Sequence, residues 1–448
     1  MKLTFYGGAG VVAGANYVLE SGEVKIMVDC GLEQGTHFAE KNNFEPFAYD
    51  PKEIQAVFIT HAHIDHTGRL PKLFRDGYRG PIYSTPPTED FAELLLLDSQ
   101  HILEKEAERE RKQPICTDLD VRGVMKQWHR IKYHVPMKVG PFTVTFYNAG
   151  HILGSAIIKI EAEGKTTLFS GDLGNYPAPI IQDTEMFRAA DYVVIESAYG
   201  SRVHEGAEKR KELLEDIIED TVRSGGALII PAFAMERTQD ILFHLNDLVE
   251  GGRIPKIPIF IDSPLAIKLT HVYQKYQDYF DPEVGERIHS GDDIFNFKGL
   301  HFTLTTEQSK EINGVPPPKV IIAGSGMSNG GRILHHEQRY LPDPKSTILF
   351  IGYQSKGTLG RNIMEGAKSV KIYDEMVPVR AKVAVISGYS AHADQPRLVE
   401  WLRPMRYTIK KVFIVQGEEE SATALQGKIQ DELAVRAIVP QPREEVVL

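Results

Sequence analysis

Cysteine is nearly missing from this 448-residue chain, with only Cys30 and Cys116 present. That excludes a disulfide-built scaffold and any cysteine-rich zinc or iron–sulfur site. Long hydrophobic runs are missing too: stretches such as Ala227–Pro231 and Val383–Ile386 fall far short of the ~20 residues of a membrane-spanning helix. MKLTFYGG runs straight into glycines without a charged-then-apolar signal, so a soluble, cytoplasmic protein with no membrane partner is expected. Positive charge is in deficit, 51 Lys and Arg against 61 Asp and Glu, for a net charge of −10. This argues against broad adhesion to nucleic acid. It leaves room for an enzyme acting on nucleic acid, because a local patch and bound cations can supply the field at a site. No clear internal repeat, coiled coil or low-complexity tail is visible. What remains is ordinary for a globular protein, 42% hydrophobic and 25% charged, with 38 Gly and 26 Pro. Such a chain suits a loop-rich catalytic fold of two or three domains.

The first 60 residues read as strands and turns: Lys2–Tyr6, Asn16–Leu19, Val24–Val28 and Ile54–Ile59. Helices are expected over Gly68–Arg75 and Glu89–Arg111, then strands over Pro141–Phe146, Ala156–Glu161, Thr166–Ser170 and Val193–Glu196. A second block begins near Arg202. There the helices Glu205–Val222 and Glu236–Glu250 alternate with strands Ala227–Pro231, Ile257–Ile261, Lys319–Ala323 and Ser346–Gly352. Strand–loop–helix repetition predicts a parallel α/β sheet with ligand groups at the C-terminal strand ends. Short strands return at Lys371–Tyr373, Lys382–Ser387 and Lys411–Gln416, with a helix over Gln395–Leu402.

The densest chemistry is Thr60-His61-Ala62-His63-Ile64-Asp65-His66, directly after an apolar strand. Three imidazoles and a carboxylate so close together are hard to bury without a metal or a dense hydrogen-bond network. His61 and His63 have strand-like spacing, and Asp65 and His66 are expected in the turn beyond, a layout able to serve two metals. Asn148-Ala149-Gly150-His151 and Phe169-Ser170-Gly171-Asp172 each add one ligand type near a strand end. An Asp carboxylate can bridge two cations in a binuclear hydrolase. Asp29 follows a strand and either orients a ligand from behind or caps the loop. Gly324-Ser325-Gly326-Met327-Ser328-Asn329-Gly330-Gly331-Arg332 follows another strand. Its N–H groups, the Ser325 and Ser328 hydroxyls and Arg332 form a candidate phosphate cradle, with a plain turn and cap as the alternative. Lys356, Thr358 and Arg361 are similar candidates for an RNA backbone, and Arg237 suits either that role or a structural ion pair. His335 and His336 read as helix residues rather than ligands. His37, His101, His129 and His244 have no constellation around them.

Taken together these motifs resemble the metallo-β-lactamase superfamily, in its nucleic-acid-processing branch with an inserted β-CASP domain. They are HAHIDH at 61–66, NAGHILGSA at 148–156, SGDLG at 170–174, ESAYG at 196–200 and PAFAMERTQ at 231–239. DSPLA at 262–266, GSGMSNGGRILHH at 324–336, GYQSKGTLGR at 352–361 and SGYSAHADQ at 387–395 complete the set. Within that branch the chain is similar to archaeal and bacterial relatives of the cleavage and polyadenylation specificity factor nuclease. The resemblance implies an α/β architecture in layers, an αββα sandwich built from 1–203 and 374–448. A β-CASP α/β domain is inserted at 204–373, with a substrate cleft at the junction. It implies two zinc ions, with Mn²⁺ as a substitute metal: His61, His63 and His151 hold one, Asp65 and His66 the other, and Asp172 bridges. It implies a zinc-dependent ribonuclease for single-stranded RNA in which hydroxide attacks phosphorus, leaving a 5′-phosphate and a 3′-hydroxyl. Asp65 and Asp172 belong to that catalytic centre. Glu196 would orient His392, which would touch the scissile phosphate or protonate the leaving oxygen.

Two departures stand out. Family members present His-Gly-Glu on the last catalytic strand, whereas here Val412–Val415 is followed by Gln416-Gly417-Glu418. A glutamine amide is a poor zinc ligand beside imidazole, so the second site is expected to be weak or vacant and Gln416 at most a weak metal contact. Val12-Ala13-Gly14-Ala15 also stands where relatives carry hydroxyl residues. The leading expectation is an endonuclease. A 5′-to-3′ exoribonuclease is the alternative in mode, and an RNA-binding or scaffolding pseudo-nuclease the alternative in class. No stretch resembles an appended RNA-binding leader, so targets would be selected by the cleft, a homodimer or RNA-processing partner proteins. Arg436–Leu448 is expected to dock on the core or on a second subunit.

Overall fold

The computed structural model describes residues 1–33, 42–204, 209–352, 354–355 and 357–448. The chain divides into two compact units, 1–203 with 392–448 and 204–391. The first contains two seven-stranded sheets. One runs, in spatial order, Glu445–Val447, Lys2–Gly7, Asn16–Ser21, Val24–Val28, Ile54–Phe58, Ile82–Ser84 and Trp128–Arg130. The other runs Ala437–Ile438, Lys411–Val415, Tyr192–Glu196, Lys165–Phe169, Ala156–Ala162, Phe142–Asn148 and Met137–Val139. Alternate residues of both sheets meet in one core: Leu3, Phe5, Ile26, Val28 and Phe58 with Val144, Phe146, Ile158, Phe169 and Phe413. This is the period-2 face rule of pleated strands.

The other face of the second sheet, including Leu168, Val193, Ile195, Val412 and Ile414, packs on two helices. Gln395–Leu402 contributes Leu398 and Trp401, and Glu419–Leu433 contributes Leu425 and Ile429. Met27 and Val57 on the outer face of the first sheet are fully buried as well. Helices Leu70–Arg75, Pro86–Glu110 and Asp118–Met125 pack against one another. The sheets and helices are those of the layered sandwich that the motifs imply. The terminal strand Glu445–Val447 pairs antiparallel with Lys2–Gly7, so the C-terminal segment docks on the chain's own first sheet.

The second unit is built on a six-stranded sheet in the order Leu300–Phe302, Ile259–Asp262, Lys319–Ala323, Ala227–Pro231, Thr347–Phe350 and Lys382–Val385. Every pairing in it is parallel. A parallel sheet with both faces covered needs unbroken apolar strands, and Ala227–Pro231 and Lys319–Ala323 are buried at every position. The compact unit ends at 391/392, beyond the division expected at 373/374, and Lys382–Val385 completes its sheet beside Thr347–Phe350. Residues 374–378 belong instead to a hairpin of Ser369–Ile372 with Glu375–Pro378. The helix expected over Glu205–Val222 is Arg210–Ser224, and residues 205–208 lie outside the described residues. The helix Asp118–Met125 was not anticipated, although Thr117 and Asp120 form a reciprocal capping box that marks its start.

Candidate metal centre

Within the first unit, the groups singled out in the sequence lie just beyond strand ends. Val24–Val28 and Ile54–Phe58 are parallel neighbours, so Asp29 and Thr60-His61 emerge side by side. Lys165–Phe169, Tyr192–Glu196 and Lys411–Val415 are also mutually parallel, which brings Asp172, Glu196 and Gln416 out at one end of the second sheet. His151 follows Phe142–Asn148 in the loop before Ala156–Ala162. Two glycines permit the close approach. A Cβ on Gly31 would stand 1.5 Å from the Asp65 carbonyl oxygen, and Gly171, at φ +54°, would drive one against Thr60. Asp65 and His66 lie in a one-turn helix, Ile64–Thr67, rather than in the open turn expected from their spacing.

Four donor atoms converge. His63 Nδ1 is 3.0 Å from His61 Nε2 and 3.2 Å from His151 Nε2, and Asp172 Oδ2 is 3.3 Å and 3.4 Å from those Nε2 atoms. A tetrahedron of ~2.0–2.1 Å zinc–ligand bonds has edges of about 3.3 Å, so the set fits a zinc ion. All four residues are buried or nearly so. Burial is the main reason that His61, His63 and His151 hold a proton less readily than a free imidazole, which suits neutral ligands. Burial works against ionisation of Asp172, but His66, His61 and His392 outweigh it and keep the carboxyl well below its usual range.

Residues behind His61 set its tautomer. The Thr60 hydroxyl donates to Asp29 Oδ2 at 2.8 Å, and Thr60 N–H donates to Asp29 Oδ1 at 2.8 Å. With its hydrogen spent, Thr60 Oγ1 can only accept from His61 Nδ1, 3.1 Å away. That leaves His61 Nε2 bare toward the cluster. Asp29 also accepts from His66 Nδ1 at 2.8 Å. Burial opposes protonation of His66, whereas Asp172, Asp29 and Asp65 favour it and outweigh burial.

A second group of donors joins Asp172, Glu196 and His392. His392 Nδ1 lies 3.4 and 3.3 Å from the two Glu196 carboxylate oxygens and 3.8 Å from Asp172 Oδ2. Glu196 also accepts from Leu173 N–H at 2.7 Å. Its pKa is raised, chiefly by burial, with His392 pulling the other way. Asp65, a quarter exposed, is 3.8 Å from His66 Nε2, and His66 Nε2 is 3.4 Å from Asp172 Oδ1. The nitrogen closest to His66 Nε2 in this set is the Gln416 amide, at 2.7 Å. Tyr17, which the sequence reading passed over, donates its hydroxyl to Gln416 Oε1 at 3.4 Å; its place on a strand gave no signal beyond an ordinary core aromatic.

In the second unit, several expected phosphate contacts are engaged inside the protein. Arg332 donates to Asp262 Oδ1 at 2.7 Å and to the Thr303 and Leu304 carbonyls. Ser328 is buried and donates to Glu337 at 2.5 Å. Ser325 donates to the Gly330 carbonyl at 3.2 Å. Gly326 is packed so that a Cβ would stand 2.8 Å from Phe233 N. Thr358 caps the helix Leu359–Met364 by accepting from Arg361 N–H, and Arg361 pairs with Glu365 at 2.7 Å. Gly330 and Gly331 keep surface exposure, while Lys356 lies outside the described residues. Arg237 pairs with Glu236. His336 bonds Asp262 at 2.8 Å and His244 bonds Tyr389 at 2.8 Å; His37 lies outside the described residues.

Comparison with known proteins agrees with this geometry. Residues 18–186 match the metallo-β-lactamase superfamily domain, 238–363 the Beta-Casp domain, and 376–440 the Zn-dependent metallo-hydrolase RNA specificity domain. The chain is 40% identical over 430 residues to a ribonuclease of Thermus thermophilus, covering 96% of each protein. It is 30% identical to an RNase J-like protein of Methanocaldococcus jannaschii, covering 98% of this chain and 97% of that one. With the transcription termination factor FttA of Methanosarcina mazei it shares 31% identity over 97% of this chain and 70% of that protein. A crystal structure of a protein of unknown function from Enterococcus faecalis shares the fold, with a TM-score of 0.61 at 12% identity over 100% of this chain and 99% of that one. No helix among the described residues is long and apolar enough to cross a membrane. The convergent histidines and aspartate, the three domain matches and the full-length likeness to a ribonuclease place this chain in the metallo-β-lactamase superfamily, as a metal-dependent hydrolase of its β-CASP ribonuclease branch.

Proposed function

We propose that the protein is a zinc-dependent endoribonuclease that hydrolyses single-stranded RNA, leaving a 5′-phosphate and a 3′-hydroxyl. The observation that carries this reading is the convergence of His61, His63, His151 and Asp172 with donor edges of 3.0–3.4 Å, in a chain so similar to a ribonuclease. Zinc held there supplies a Lewis acid and makes water a competent nucleophile at neutral pH. The chain's own groups do the rest. Asp172 fixes one edge of the donor set through Oδ2, and its second oxygen is held by the Gln416 amide at 3.1 Å. Glu196 engages His392 Nδ1, which leaves Nε2 as the nitrogen to deliver a proton. The water oxygen would bond to phosphorus as it gives up a proton to the solvent, the P–O3′ bond would break, and O3′ would take the Nε2 proton of His392, which is reprotonated from solvent. Ser325, Gly330, Gly331, Lys356 and Arg361 are the groups assigned to the RNA backbone. Thr358 holds the start of the helix that carries Arg361.

The test is cleavage of a 5′-labelled, partly single-stranded RNA by zinc-loaded protein, with chelated protein and Asp172→Ala in parallel. Discrete internal products that need both zinc and Asp172 are expected, with a loss of at least ~100-fold in the variant, on the scale of removing one preorganised electrostatic group. Mononucleotides released from the labelled end would make the enzyme a 5′-to-3′ exonuclease. The second reading, an RNA-binding protein without turnover, draws its support from the amide at position 416. Tight RNA binding by folded, zinc-loaded protein with no product would establish it over ours.

A further inference from the structure

We infer that the carboxamide of Gln416 occupies the place of a second cation, so that this centre binds one metal ion. The inference rests on the metallo-hydrolase reading above and concerns how many ions that site holds. Gln416 follows the strand Lys411–Val415 and is buried, with 3% of its surface exposed. Its backbone sits at φ +52° and its N–H donates to the Gly8 carbonyl at 2.6 Å, so the side chain starts from a fixed point. Three neighbours then surround the amide. Its nitrogen is 2.7 Å from His66 Nε2 and 3.1 Å from Asp172 Oδ1. Its oxygen accepts from the Tyr17 hydroxyl at 3.4 Å.

An ionised carboxylate oxygen can only accept, so the NH₂ end rather than the oxygen must face Asp172 Oδ1. The amide nitrogen also stands 2.7 Å from His66 Nε2, where a second cation would have to sit. One oxygen of Asp172 that such a cation would need is therefore occupied by an N–H, and the approach to His66 Nε2 is filled by the amide. An amide nitrogen does not ligate zinc. Turning the oxygen inward would lose the N–H bond to Asp172, set oxygen against its carboxylate, and offer only a weak neutral ligand in return.

The remaining donors point the same way. Among the described residues, the donor groups whose atoms all lie within 4.8 Å are His61, His63, His151 with Asp172, and Asp172 with Glu196 and His392. Neither includes Asp65 or His66. Asp172 thus serves the first set through Oδ2 and the amide through Oδ1, rather than bridging two ions.

The experiment is a zinc count by mass spectrometry on wild-type and Gln416→His protein, each equilibrated against excess free zinc and dialysed. One zinc per chain is expected in the wild type and two in the variant. Two zinc ions in the wild type would overturn the inference, and a variant that stays at one would show that Gln416 is not what closes the site. No zinc in folded wild-type protein would instead overturn the underlying metal-centre reading. Should the variant not fold, zinc-edge anomalous scattering from wild-type crystals decides. One peak among His61, His63, His151 and Asp172 supports the inference, and a second beside His66 refutes it.

Discussion

His61 offers a lone pair to the donor cluster from Nε2 only while Nδ1 keeps its hydrogen, and the Thr60 hydroxyl enforces this because Asp29 has taken its own hydrogen. The three residues form a relay in which the outermost carboxylate sets the tautomer of the ligand. Replacing Thr60 by the near-isosteric Val removes the acceptor for His61 Nδ1 while keeping the packing volume. Thr60→Val is expected to weaken zinc binding by roughly 10- to 100-fold, the usual scale for a residue behind a metal ligand. Competition with a chromophoric chelator measures it, and unchanged affinity would refute the relay. The two cysteines take no part in such chemistry. Cys30 and Cys116 are buried, and burial pushes each thiol up to about 12.

At the scale of elements, the helix Ile333–Tyr340 carries a buried acid through the second unit. Glu337 is fully buried, accepts from Ser328 at 2.5 Å through one oxygen, and has no partner for the other. Burial pushes its carboxyl up to about 8, with the Ser328 bond pulling slightly the other way. The folded state therefore keeps a proton that the unfolded chain releases near its ordinary value of about 4.5. Stability is highest below that value, falls as pH rises toward 8, and is flat above. The slope is at most about 1.4 kcal/mol per pH unit. Glu337→Gln is expected to remove this decline, read as the midpoint of urea unfolding between pH 5 and 8. A midpoint with the same pH dependence in both proteins would refute it. The neighbouring Asp262 is the opposite case. Burial opposes its charge, but bonds from His336, Ser309, Thr303 and Arg332 outweigh burial and keep it ionised.

At the scale of the whole molecule, the zinc-fitting donor set lies in one of the two compact units, on sequence segments 61–172. Ligand binding stabilises only the folded form that holds the site, by RT ln(1 + [L]/Kd), or ~2.7 kcal/mol at a hundred times Kd. Zinc is expected to raise the melting temperature of the first unit and chelator to lower it. In calorimetry that separates two transitions, one moves with zinc and the other stays. Two transitions moving together would mean that the units unfold as one. Residues 1–203 and 392–448 must come together before His392 reaches Glu196 and Gln416 reaches Asp172. Such long-range closure carries an entropy cost that the shared core of the two sheets offsets.

Much of this was legible in the sequence, for a reason that can be stated. Ligand chemistry demands particular side chains, and strand ends demand apolar runs before them and glycine after. His61, His63, His151 and Asp172 could therefore be read together, as could the alternation that builds both sheets. The resemblance added Glu196 and His392, which lie far apart in the chain and meet only in the folded first unit. Tertiary structure alone decided the rest. It assigned Lys382–Val385 to the second unit, because a strand's sheet is fixed by its neighbour rather than by its own residues. It committed Arg332 to Asp262 and Ser328 to Glu337, since a sequence reveals that a group can bind phosphate but not whether an internal partner already holds it. Position 416 shows the division most clearly. The sequence by itself determined that an amide follows the last strand, at a position where the resemblance implies a ligand. Only the fold determined that the amide turns its N–H end to Asp172 with its nitrogen beside His66, because that direction depends on groups arriving from distant parts of the chain.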